Sequence, residues 1–151
     1  MIIQDFDSSF KEPIIGVDEV GKGSWSGPVV AGAFWLHLGK NKQLPFLLND
    51  SKKLSSKKRQ EVLKQLFLIG KSSVGIASAK EIDKVGISLA TWLAMDRAIK
   101  KLLFKIPYKP STILIDGILT PKLSKTICFE IKTIKKGDEK SPSIAAASIV
   151  A

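Results

Sequence analysis

Four carboxylates stand at positions where acids can do chemistry. Asp18 and Glu19 close the apolar run Ile14-Ile15-Gly16-Val17, and Asp116 closes a second run, Ile113-Leu114-Ile115. Asp138 lies in the charged turn Lys135–Lys140, just before an apolar helical stretch. A strand that ends in two acids needs cations or solvent beside it, because an isolated buried carboxylate is costly. Hard divalent ions such as Mg²⁺ or Mn²⁺ take oxygen ligands, and a pair of them can clamp the attacking and leaving oxygens of a phosphodiester. By themselves Asp116 reads equally well as a turn residue before Gly117, and Asp138 as a solvated loop acid. Asp18 and Glu19 are poorly explained by structure alone. Neighbours on a regular strand point to opposite faces, so the two share one site only if the strand ends or twists at Glu19.

Other chemistries lack their parts. His37 is the only histidine and Cys128 the only cysteine, which leaves no zinc cluster, no Ser-His-Asp or Cys-His system and no internal disulfide. The glycine-rich run Gly21–Gly27 fits neither phosphate-loop pattern, Gly-x-x-x-x-Gly-Lys-Ser/Thr or Gly-x-Gly-x-x-Gly. His37 reads as an incidental strand residue. Trp25 reads as a loop residue that packs or stacks on a base.

The elements that must hold these acids follow from the pattern. Ile14–Val20 and Pro28–Leu38 read as a hairpin around the glycine-rich turn, after a polar, frayed lead-in over Met1–Pro13. Ser55 caps a helix to about Ile69 that Gly70 closes, with Val62, Leu63, Leu66 and Phe67 as its apolar stripe. Lys71–Ala79 has strand character, Lys80–Val85 is a polar connection, and a helix spans 87–103. Leu89, Trp92, Leu93, Ile99 and Leu103 line the core side of that helix, and Asp96 pairs with Lys100. Ser111–Ile115 is apolar throughout, as a buried parallel strand requires. Thr126–Ile134 is a further strand, and Ser141-Pro142 starts a last helix through the alanines. The order β-β-α-β-α-β-β-α is α/β class: a mixed sheet with helices on its faces. In such sheets, sites gather at the carboxyl ends of strands.

The chain is 151 residues long, enough for one domain with a core. Its formal net charge is +10, unevenly spread. The first fifty residues carry four lysines and six acids, and the rest carries twenty basic and eight acidic residues. An acidic centre in a basic body suits a polyanion, nucleic acid first. Lys57, Lys58 and Arg59 crowd the positive end of the helix after Ser55, which makes sense where an anion docks. No apolar run is long enough to span a membrane, and no secretory leader is visible. A cytoplasmic monomer is expected. The sequence stops inside an apolar helix, so a longer parent protein is expected.

The motifs, in order, resemble those of bacterial type II ribonucleases H. The first is Gly16-Val17-Asp18-Glu19-Val20-Gly21-Lys22-Gly23 with Gly27-Pro28-Val29-Val30. The second is Asp50-Ser51-Lys52-Lys53-Leu54-Ser55 with Lys58-Arg59, and the third Ile115-Asp116-Gly117 with Pro121-Lys122-Leu123. The fourth is Lys136-Gly137-Asp138 with Ser143–Ala151. The resemblance implies one RNase H-like catalytic domain over residues 1–151, a mixed five-stranded sheet with helices on both faces. It implies a Mg²⁺- or Mn²⁺-dependent endonuclease acting on RNA in RNA–DNA hybrids and on ribonucleotides embedded in duplex DNA, leaving 3′-hydroxyl and 5′-phosphate ends. Asp18, Glu19, Asp116 and Asp138 would be its metal-binding carboxylates. Gly21, Lys22 and Gly23 would read the ribonucleotide 2′-hydroxyl, and Ser51, Lys52 and Lys53 would lie near the backbone. Two features depart from the pattern. The loop reads Gly-Lys-Gly-Ser where the family has Gly-Arg-Gly-Pro, and lysine lacks arginine's planar fork; Lys22 is also similar to type III enzymes. The family's Lys-Val-x-Arg-Asp segment and its helices with a stacking tyrosine do not follow Ala151. The alternatives are therefore a shortened, inactive fold that still binds hybrids, or a type III-like enzyme.

Overall fold

A computed structural model describes residues 2–20, 27–37, 43–45, 48, 52, 54–118, 121–125, 127 and 129–151. Five strands form one sheet in the order β3-β2-β1-β4-β5. They are β1 (Ile14–Val20), β2 (Val29–Leu36), β3 (Gly70–Ala77), β4 (Thr112–Asp116) and β5 (Glu130–Ile134). β1, β2 and β3 pair antiparallel, while β4 lies parallel to β1 and β5 parallel to β4. The helices are α1 (Ser56–Ile69), α2 (Ala79–Val85), α3 (Ile87–Leu103) and α4 (Pro142–Val150). α3 covers one face, where Ile15, Val17, Ala31, Ala33, Ile113 and Ile115 meet Ala94, Ala98, Ile99 and Leu102. α1 and α4 cover the other, with Phe34, Val62, Leu66 and Ala145–Ala147 in one cluster. The mixed sheet with helices on its faces agrees with the residue pattern, and its five strands with helices on both faces agree with what the resemblance implies.

α4 fits the sheet through missing side chains. A Cβ on Gly16 would stand 2.1 Å from the carbonyl carbon of Ser143, and one on Gly32 would stand 2.2 Å from the carbonyl oxygen of Ala147. Only glycine lets a helix backbone come this near a strand. Both glycines flank Asp18, which pairs across the hairpin with Gly32.

Several local expectations change. The lead-in is not frayed. It holds a 3₁₀ turn at Asp7–Ser9, Asp7 is buried, and the Ile3 N–H donates to the Lys140 carbonyl at 3.0 Å. Its polar residues satisfy buried partners, and polarity alone does not report that. Lys80–Val85 lies within helix α2, not a connection. Ser78 and Glu81 form a capping box, each side chain accepting from the other residue's backbone N–H. Gly70 is extended (φ −167°) and opens β3, so α1 runs straight into the strand without a left-handed cap. Phe67 and Leu89 are exposed. α1 buries Val62, Leu66 and Ile69, and α3 buries Ala90, Ala94, Met95 and Ala98 together with Ile99 and Leu102. Small side chains let the helix lie close to the sheet: a Cβ on Gly75 would meet the Ala94 carbonyl oxygen at 2.0 Å. β5 begins at Glu130, four residues later than expected.

β3 is an edge strand, and α3 covers its open carbonyls. Arg97 donates to the Ile76 carbonyl at 2.6 Å, Lys101 to that of Val74 at 3.1 Å and Lys105 to that of Ser72 at 2.8 Å. The helix repeat of four matches alternate carbonyls of the strand. Such cations blunt an edge that would otherwise pair with another chain.

Candidate metal centre

The parallel pairing of β1 with β4 sets the site. The pair runs from Ile14–Thr112 to Val17–Ile115, so Asp18 and Asp116 each follow the last paired residue. β5 runs parallel beyond β4, and its exit leads through Lys136 into the 3₁₀ turn Gly137–Glu139, which carries Asp138. Lys136 takes the left-handed conformation (φ 55°), which turns the chain back over the strand ends. The Gly137 N–H donates to Asp116 Oδ1 at 2.6 Å and fixes the turn to the end of β4. One carboxylate oxygen from each of Asp18, Asp116 and Asp138 then lies within 4.8 Å of the others. Asp18 and Asp138 are buried, and Asp116 is half-buried.

Glu19 is not in that group. β1 stays paired through Val20, and the charge of the Glu19 carboxylate acts on Asp18. Its backbone N–H donates to Asp18 Oδ1 at 2.7 Å, and one of its carboxylate oxygens is buried. Burial pushes the Asp18 carboxyl from 3.8 up to about 7. A hydrogen bond from the Ser148 hydroxyl of α4 pulls the other way, and the charges of Asp116 and Glu19 add to the rise. Three acids this close repel one another and favour a proton on one of them. A divalent cation removes that repulsion, and an all-carboxylate oxygen set is what Mg²⁺ or Mn²⁺ takes.

Of the expected substrate-side residues, Lys52 is described. It is exposed, and its Nζ lies 3.8 Å from Asp138 Oδ2, so it reaches the rim of the acidic group. Gly21, Lys22, Gly23, Ser51 and Lys53 lie outside the described residues. The first turn of α1 carries exposed Lys57 and Lys58 and half-buried Arg59. Ser55 caps that helix, accepting from the Lys58 N–H at 3.4 Å. The sequence reading missed two contributors, Ser148 on Asp18 and the Asp7 contacts to α4. Ser148 had a signal, since it stands two turns along a helix that begins beside Asp138. Asp7 had none.

This sheet, with three acids at its carboxyl edge and α4 lying over Gly16 and Gly32, is similar to the folds of solved type II ribonucleases H. A family model described as ribonuclease HII matches residues 15–151. The ribonuclease HII of Pelagibacter ubique (strain HTCC1062) is 47% identical over 138 residues, covering 91% of this chain and 69% of that protein. The chain belongs to the ribonuclease HII family. The chain spans about 60–69% of the length of curated relatives that it matches. The ribonuclease H2 of Pyrococcus horikoshii OT3 superposes with a TM-score of 0.72 at 27% identity, over 91% of this chain and 69% of that one. Bst-RNase HIII, solved in complex with Mn²⁺, superposes with a TM-score of 0.68 over 91% of this chain and 50% of that one. At 23% identity that likeness shows the shared fold alone.

Proposed function

We propose that residues 1–151 act as one catalytic domain of a metal-dependent endoribonuclease. Its substrates are RNA in RNA–DNA hybrids and ribonucleotides embedded in duplex DNA. The observation that carries this reading is the convergence of Asp18, Asp116 and Asp138 oxygens within 4.8 Å at the sheet's carboxyl edge. Family membership supports it. Asp18, Asp116 and Asp138 would hold the Mg²⁺ or Mn²⁺, which would supply Lewis-acid chemistry at a phosphoryl oxygen and a bound water of lowered pKa. Asp18 must give up its proton to serve as a ligand, and Ser148 favours its ionised form. Glu19, next to Asp18 on β1, would complete the carboxylate set. Lys52 screens the acids at the rim where a phosphate enters, and Ser51 and Lys53 contact the same backbone. Gly21, Lys22 and Gly23 read the 2′-hydroxyl.

The test is cleavage of a DNA duplex carrying one ribonucleotide, with Mg²⁺ or Mn²⁺. Asp18→Asn should abolish the 3′-hydroxyl and 5′-phosphate products; equal cutting after that change refutes the site. The cations of the α1 first turn favour a second reading, a module that grips hybrids without cutting them. Salt-sensitive binding that needs no metal and yields no product would select it.

A further inference from the structure

We propose that Asp7 is a positioning residue for the carboxylate site. From the N-terminal segment it fixes the first turn of α4, and through that turn it sets the spacing of Asp138 and Ser148 about Asp18. Asp7 is buried and lies 134 residues before Ser141 in sequence. Its Oδ1 accepts from the Ser141 hydroxyl at 2.6 Å, and its Oδ2 accepts from the Ser143 N–H at 2.9 Å and from the Ser143 hydroxyl. A carboxylate here also meets the positive end of a nine-residue helix.

Those two serines join everything that must keep its place. Ser141 caps α4, accepting from the Ile144 N–H at 3.2 Å. Its own N–H donates to the Gly137 carbonyl at 2.7 Å, closing the turn that carries Asp138. Ser143 is the residue whose backbone lies against Gly16, two positions before Asp18. Further along the same helix, Ser148 bonds to Asp18. The helix therefore carries one partner of Asp18 and is joined to a turn that carries another acid. Packing on Gly16 and Gly32 sets its height above the sheet. Asp7 is a charged group that holds its first turn through Ser141 and Ser143, so its effect on the acids passes through α4.

This inference rests on the reading that the acids take a divalent cation, and the experiment separates the two. Mn²⁺ binding to the 151-residue chain is measured by electron paramagnetic resonance of the free ion, beside a thermal melt of each variant. Asp7→Ala should weaken Mn²⁺ binding roughly tenfold, the lower range for groups that orient metal ligands without touching the metal. Asp7→Asn, of the same shape but uncharged, should fall between it and the unaltered chain. Ser73→Ala removes a buried hydrogen bond to the Ala98 carbonyl on the α3 face. It should lower the melting temperature without changing Mn²⁺ affinity. An Asp7→Ala chain that melts earlier yet binds Mn²⁺ as tightly as the unaltered chain overturns the positioning role. If Asp7→Ala does not fold, Asp7→Asn and Ser143→Ala decide: unaltered affinity in both overturns it. No Mn²⁺ binding by the unaltered chain overturns the metal reading, and this proposal with it.

Discussion

Gly16→Ala is the sharpest single test of how the site is assembled. The added methyl would stand 2.1 Å from the Ser143 carbonyl carbon, 2.2 Å from its oxygen and 2.4 Å from the Ile144 nitrogen. All three are backbone atoms, so no rotamer change relieves the clash. An ordinary carbon contact needs about 3.5 Å, so strand and helix must separate by about 1.4 Å. β1 is held between β2 and β4, so the helix is the part that moves. α4 takes Ser148 away from Asp18 and pulls on the turn that carries Asp138. Overpacking of this kind costs about 1–3 kcal/mol, and backbone contact on a central strand places this case at the upper end. For a domain of this size about 3 kcal/mol corresponds to roughly 6–12 °C in Tm. A thermal melt of Gly16→Ala reads the loss directly, and Mn²⁺ affinity of the folded variant should fall as well. The reasoning is refuted by a variant that melts within about 1 °C of the unaltered chain, well short of that range.

Two further predictions concern the far edge of the sheet. Lys101→Ala/Lys105→Ala uncovers the Val74 and Ser72 carbonyls of β3 while keeping the Arg97–Glu81 pair. Concentration-dependent association should appear in sedimentation velocity, and sedimentation of the double variant indistinguishable from the unaltered chain at every concentration contradicts the edge argument. The Arg97 guanidinium, then the Ser78 N–H, hold Glu81 at about 2 instead of 4.5. A depressed carboxylate stabilises the fold above its unfolded pKa and loses that contribution as pH falls through the folded one. The Tm difference between the unaltered chain and Glu81→Gln should therefore be constant above about pH 5 and shrink between pH 4.5 and 2. A difference that does not vary over that window would show that the pair adds nothing through charge.

Much of the architecture was legible because it is local. Period-two and period-3.6 apolar patterns marked β1, β2, α1 and α3. Ser55 and Ser141 marked helix starts through their side-chain acceptors. The wholly apolar Ile113–Ile115 marked a strand buried on both faces. α2 was missed although its capping box is written in the sequence, because its seven residues bury none of their side chains and leave no apolar stripe. On α3, Ile99, Trp92 and Leu103 do face the core as expected, whereas Leu89 is exposed and alanines take the positions nearest the sheet, because close approach to Gly75 selects small residues.

The sequence by itself determined which residue types could hold a cation and that each stands at or near the end of an element. It also determined the basic surround, since net charge is a sum over residues. Tertiary structure alone decided which acids meet. Asp138 passes from a turn acid to a buried neighbour of Asp18 only because β5 lies parallel to β4 and Lys136 reverses the chain above their ends. It also decided the part of Asp7, whose partners lie 134 and 136 residues away. The physical reason is range. Propensity, capping and periodicity act within a few residues, whereas a shared carboxylate site and a glycine-lined helix contact depend on which elements pack together.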